Sequence, residues 1–117
     1  MDEYKDTLAP LLDSLIEETS NGKISWEETG LNSFRYISSD TSIIVAKLYD
    51  GHLIKDRGIS IKIYNKDGCL YNYTPSFLLE EDDFDKRLHV LFSKIEQMKF
   101  NKFSLVVKDV IDRLKKK

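Results

Sequence analysis

The stretch ISIKIYNKDGCLYNY, residues 59–73, constrains this chain more than any other. Ile59, Ile61 and Ile63 alternate with Ser60, Lys62 and Tyr64, the two-residue period of a half-buried strand. The strand runs into Asn65, Lys66, Asp67 and Gly68, and the Asp-Gly ending is hairpin chemistry. A type I turn with Gly68 in the left-handed bulge position pairs Asn65 with Cys69. Tyr71 then lies opposite Ile63 and Tyr73 opposite Ile61. A four-residue loop would place both tyrosines opposite Lys62 and Ser60, on the other face. The Asp-Gly ending favours the first register, so both tyrosines are expected in the core of an antiparallel sheet.

Helical periodicity brackets this hairpin on both sides. Leu8, Leu11, Leu12, Leu15 and Ile16 fall at i, i+3, i+4, i+7 and i+8, the stripe of an amphipathic helix. Asp6 or Thr7 is the expected N-cap, Pro10 fits the first turn, and Asn21 with Gly22 supplies a left-handed stop. Ile24 and Trp26 then alternate with Lys23, Ser25 and Glu27 as a half-buried strand, leaving Glu27, Glu28 and Thr29 solvated. A second strand covers 34–37. After a turn at 38–41 comes a third, over 42–49, that is apolar on both faces. Pro75 ends the sheet. Asp82 or Asp83 is placed to cap a helix bearing Phe84, Leu88, Leu91, Phe92, Ile95 and Met98. Asn101 and Lys102 read as a break. Phe103, Val106, Val107, Val110, Ile111 and Leu114 form a last helix that ends in cations, which suit the negative end of a helix dipole. The expected fold is one α+β domain over 1–117: an N-terminal helix, a four- to five-stranded antiparallel sheet and one or two C-terminal helices.

Composition excludes several classes of activity. A net charge of −2 offers no global attraction to nucleic acid or to an anionic membrane. No apolar run approaches the ~18 residues that span a bilayer. The start, MDEYKDTLAP, lacks the basic and apolar regions of a signal peptide. Cys69 is the single cysteine, so an intrachain disulfide and a thiolate-rich metal site are both excluded. The expected location is the cytoplasm.

Catalytic chemistry finds little to use. Only His52 and His89 could serve a nucleophilic triad, and neither lies in a recognisable local context. The five glycines are scattered as turn residues, with no phosphate-cradling loop. Asp82, Asp85 and His89 form the strongest constellation. On one helix Asp85 and His89 are i and i+4 and could share a divalent metal, which gives the alternative of a small metal-dependent hydrolase. Acids at 80–83 are also what a helix start carries near its positive dipole end. Asp50, His52 and Asp56 form a second cluster, where Asp50-Gly51 reads as turn chemistry. A further alternative is a single-strand nucleic-acid binder using the lysines at 115–117, which the inward tyrosines and the acidic run oppose. No catalytic residue, metal ligand or cofactor is assigned.

The segment DGHLIKDRG, residues 50–58, is the most suggestive piece for binding. It presents Leu53 and Ile54 between charged neighbours, with Arg57 close by, as a protein-contact loop would. The competing reading tucks Leu53 and Ile54 under a helix. Ile43, Val45 and Tyr49 add a second apolar strand face, one that the last helix, a second copy or another protein must cover.

The Leu-rich helix running into NGKISW, followed by short strands and the IYNKDG hairpin, resembles small bacterial and phage-encoded proteins over residues 8–75. These combine a helix, a four-stranded antiparallel meander and C-terminal helical segments. The resemblance implies a bacterial or mobile-element origin and an accessory role in host–phage conflict, with no activity or catalytic residue to carry over. The expected function is a non-enzymatic interaction module that binds another protein or itself, through Leu53, Ile54, Arg57, Ile43 and Val45.

Overall fold

The computed structural model describes residues 2–50, 55–75 and 81–116, without the side chains of 49, 50 and 55–57. Its elements are α1 (Glu3–Ser20), β1 (Glu27–Gly30), β2 (Ser33–Ser38), β3 (Thr41–Asp50), β4 (Lys55–Asn65), β5 (Gly68–Tyr73) and α2 (Asp83–Lys115). The strands form one antiparallel sheet in the order β1-β2-β3-β4-β5. The fold is α+β, with both helices on one face.

Helix α1 begins a turn earlier than its leucine stripe requires. Asp2, rather than Asp6 or Thr7, is the N-cap, its Oδ1 accepting from the amides of Tyr4 at 3.0 Å and Lys5 at 3.2 Å. The extra turn brings Tyr4 onto Tyr71, ring centroids 5.4 Å apart, and Lys5 onto Asp82. Pro10 therefore sits inside the helix, where it lacks the N–H that would bond the Asp6 carbonyl. The helix stops as expected. Gly22 takes φ +73°, and the amides of Gly22 and Lys23 bond back to the carbonyls of Thr19 and Glu18, a Schellman motif.

Ile24 and Trp26 lie in an irregular segment before β1, not in a strand. Both are still drawn against the core. Trp26 is half-buried, and its Nε1 donates to Oγ1 of the fully buried Thr19 at 3.0 Å, fixing the chain's return from helix to sheet. Glu27, Glu28 and Thr29 are exposed.

The β4–β5 hairpin has the expected tyrosine register: Tyr71 pairs with Ile63 and Tyr73 with Ile61. Its turn differs. Asn65 pairs with Gly68 and Tyr64 with Cys69, and the one-residue irregularity falls at Leu70. One extra residue anywhere in β5 restores the same facing, so the side-chain pattern survived an error about where it sits. Asn65 Oδ1 accepts from the Asp67 amide at 2.8 Å, the local bond that closes the turn.

In β3 the expected roles of the two faces are reversed. Ile43 and Val45 are buried and pack with Ile59, Ile61, Phe34, Leu12, Leu91 and Phe92 in the core beneath the helices. Ile44, Ala46 and Leu48 line the outer face and are half-buried. Neither Ile43 nor Val45 is available to a partner, because the two helices already cover that face. Asp50 pairs with Lys55, and Leu48 with Gly58. This makes Arg57 the extra residue of a bulge in β4 rather than part of a projecting loop. Gly58 takes φ +101°, and a Cβ there would meet Pro75 Cγ at 2.8 Å, so two constraints require glycine.

Helix α2 is the largest departure. Its 33 residues run unbroken through Asn101 and Lys102. Both polar residues keep helical geometry, and Gln97 Nε2 donates to Asn101 Oδ1 at 3.0 Å one turn on. The start is set by a reciprocal capping box between Asp82 and Asp85. Contacts of Lys5 with Asp82 and of Arg87 with Asp13 show the two helices side by side with the same polarity. At 1.5 Å per residue α1 spans about 27 Å and α2 about 50 Å. The surplus length of α2 extends past the end of α1, which accounts for a longest dimension of 62 Å.

Candidate functional site

Two regions concentrate chemistry. The first is a polar clasp where α1, β5 and the start of α2 meet. The Tyr73 hydroxyl donates to Asp85 Oδ1 at 2.5 Å, and its ring stands edge-on to Phe84 with centroids 5.1 Å apart. Lys5 Nζ lies 2.7 Å from Asp82 Oδ2 and 4.6 Å from the centre of the Tyr73 ring. The hydrogen bond from Lys5 holds the Asp82 carboxyl down to about 2, despite partial burial that opposes it, and the Asp85 amide and side chain add to the effect. Burial pulls the Lys5 ammonium down, but Asp82, with Asp85 and Asp2, outweighs it and raises it overall. Burial, then the bond to Asp85, pushes the Tyr73 phenol well above its ordinary value. With the Tyr73 phenol held protonated and the Asp82 carboxyl held ionised, neither of these two groups changes protonation near neutrality. The clasp is built to hold an edge of the sheet to two helix starts.

These contacts also disperse the metal constellation. Asp82 faces Lys5 and its own helix N-terminus, and Asp85 faces Tyr73 and the Asp82 amide at 3.2 Å. His89 Nε2 is 2.9 Å from Glu81 Oε1, a close contact without hydrogen-bond alignment. Among the described residues no group of three or more His, Cys, Asp or Glu could hold a metal ion. The alternative cluster at Asp50, His52 and Asp56 falls on a residue and side chains outside the described ones. Tyr71 and Tyr73, covered by Tyr4 and Phe84, present no stacking platform for bases.

The second region is the end of α2. From Lys99 onward every described residue is exposed. Phe100, Phe103, Val106, Val110, Ile111 and Leu114 are between 40% and 63% exposed, and Val107 is 38% exposed. At 100° per residue these seven side chains fall within about 140° of the helix circumference, with Lys99 at the root of the same arc and the charged residues from 102 to 116 on the remainder. Where the arm leaves the sheet it flanks a groove of about 330 Å³, lined by Leu31, Asn32, Phe34, Phe100 and Phe103 together with Glu28, Glu96 and Lys99. Leu31, at the tip of the β1–β2 turn, is 93% exposed, and Asn32 beside it takes φ +58°. Lys99 bridges to Glu28 and stands over the Phe34 ring. Leu31 and the arm thus border one apolar surface. No helix among the described residues is long and apolar enough to cross a membrane.

Two of the five residues expected to form an interface are buried in the core. Leu53 and Ile54 lie outside the described residues, as does the Arg57 side chain, and Ile43 and Val45 are in the core. The surface that the structure does expose was visible as periodicity over 103–114. It was missed because an apolar helical stripe reads the same whether or not a neighbour covers it. No protein-family model, curated protein or solved structure matches this chain.

Proposed function

We propose that this chain is a non-enzymatic protein-interaction module that docks through the apolar face of the α2 arm. The observation that carries the reading is seven exposed apolar side chains on one face of the helix end, continuous with a largely apolar groove. A patch of this size, bordered by charge, marks an interaction site on a soluble surface. The resemblance to small bacterial and phage-encoded proteins supports an accessory role for that docking.

The test compares wild type with Val107→Asp/Val110→Asp. Both substitutions lie on exposed helix surface and leave the core intact, which thermal unfolding followed by circular dichroism verifies. Wild type is expected to associate, with itself or with a protein captured by cross-linking in host extract, and the double variant to lose that association. Association that persists in the variant moves the site elsewhere, and the absence of any association removes the reading.

A further inference from the structure

We propose that the occupant of the α2 arm is the arm of a second copy of this chain, paired antiparallel, so that each Leu114 enters the groove at the root of the other arm. The inference rests on the interaction-module reading and names its partner.

The spacing is self-complementary. Phe100, Phe103, Val107, Val110 and Leu114 follow each other at three, four, three and four residues, the a/d seam of a heptad. Inverting the arm about a two-fold axis between Lys108 and Asp109 sets Phe103 against Leu114 of the second copy and Val107 against its Val110. Every layer pairs an a position with a d position. The small β-branched residues at the centre allow close approach, and the larger side chains close both ends. The flanking e and g positions hold Lys99, Ser104, Val106, Ile111 and Arg113, so charge is confined to the two ends of the seam.

Electrostatics selects the antiparallel arrangement. Residues 99–117 carry seven Lys or Arg and two Asp, a net of +5, in a chain of net −2, so residues 1–98 hold −7. Parallel arms would gather both basic ends at one point. Antiparallel arms carry each basic end to the acidic body of the other copy. The local match is closer still: Leu114 is flanked by Arg113, Lys115 and Lys116, and the groove lining carries two acids, Glu28 and Glu96, against one lysine, Lys99, which pairs with Glu28. An apolar plug with a basic collar meets a largely apolar groove in which Glu96 adds an acidic group.

The area is sufficient. With aromatic side chains offering up to about 150–250 Å² each, the exposed fractions of Leu31 and the seven arm residues amount to roughly 800 Å² per chain, the share one partner contributes to a standard-size interface. A basic amphipathic helix could also lie on an anionic bilayer. Asp109 and Asp112 on the polar face, the a/d spacing and the acid-bearing groove favour a protein helix instead.

The experiment measures solution mass over a concentration series, together with disulfide trapping in a Cys69→Ser background. Wild type is expected to double the 13.6 kDa chain mass and Val107→Asp/Val110→Asp to remain monomeric with an unchanged melting profile. A mixture of Val107→Cys and tagged Val110→Cys chains is expected to form the mixed disulfide, whereas Leu114→Cys alone forms no symmetric one. Lys115→Glu/Lys116→Glu is expected to weaken the dimer and Glu28→Lys/Glu96→Lys to restore it when the two variants are mixed. A symmetric Leu114→Cys disulfide would make the pair parallel and overturn the inference. A monomer that captures a different protein through the arm would overturn it and leave the interaction-module reading standing. A monomer that binds anionic phosphatidylserine vesicles, or nothing, would overturn both.

Discussion

The two halves of α2 differ in almost nothing the chain can write locally, yet they live in opposite environments. Up to Met98 the helix carries Phe84, Leu88, Leu91, Phe92 and Ile95, all at most 4% exposed. Beyond it, a stripe of equal apolar content faces solvent along about four turns. The first half is capped by Asp82 and Asp85, pinned by Tyr73 and paralleled by α1. The second half has outrun α1 and the sheet. Periodicity reports that a helix has a sticky face; only the lengths of its neighbours decide whether that face is satisfied within the chain.

Substitution should separate the halves cleanly. Phe92→Ala removes a ring that packs edge-on against Phe34 at 5.5 Å, and is expected to cost ~3–5 kcal/mol in denaturant unfolding. Were the loss under one, the two halves would not differ as described. Tyr73→Phe asks whether the anchored half depends on its clasp. A hydrogen bond to a carboxylate contributes ~1.5–3 kcal/mol, and the same unfolding experiment should register a drop in that range.

Lys5→Met tests the charge at the same place. Asp82 is held at about 2 against an ordinary 3.8, so its contribution is complete above 3.8 and is lost as pH falls through about 2. Lys5 is raised above 10.5, so its contribution is complete below that value and disappears at higher pH. Asp82 is 47% exposed, and solvent screening keeps the pair within ~1 kcal/mol. The variant should lose that contribution, at most ~1 kcal/mol, at neutrality, and show a shallower loss of stability below pH 4, where it converges on wild type. The smallest effect belongs to the free half. Phe103→Ala, measured in dilute protein where arms are unpaired, should change stability by less than ~0.5 kcal/mol, since no core contact is lost. At high concentration its effect should grow, which would sharpen the contrast between a face satisfied within the chain and one satisfied between chains.

Much of the fold was legible from residue order. The alternation of Ile59, Ile61 and Ile63 and the Asp-Gly turn fixed the facing of Tyr71 and Tyr73, even though the irregularity lay at Leu70 rather than Gly68. Facing depends on parity, and parity tolerates an error of position. The stop at Asn21 and Gly22 was equally plain, because a left-handed C′ residue is a local requirement. Local signals misled where a residue type permits two outcomes. Asn101 and Lys102 are polar and suggest a break, but neither forbids helix, and the helix continues.

By itself, then, the chain determined the two amphipathic helices, the β4–β5 hairpin and which side chains share a face within them, since those follow from backbone sterics and spacing of a few residues. Tertiary structure alone decided that Ile43 and Val45 point toward the helices rather than away, that Asp82 and Asp85 serve a cap and a clasp, and that the last turns of α2 lie exposed, with no covering element among the described residues. Each of these depends on the distance between elements far apart in sequence, and no short-range pattern encodes where an 18-residue helix ends beside a 33-residue one.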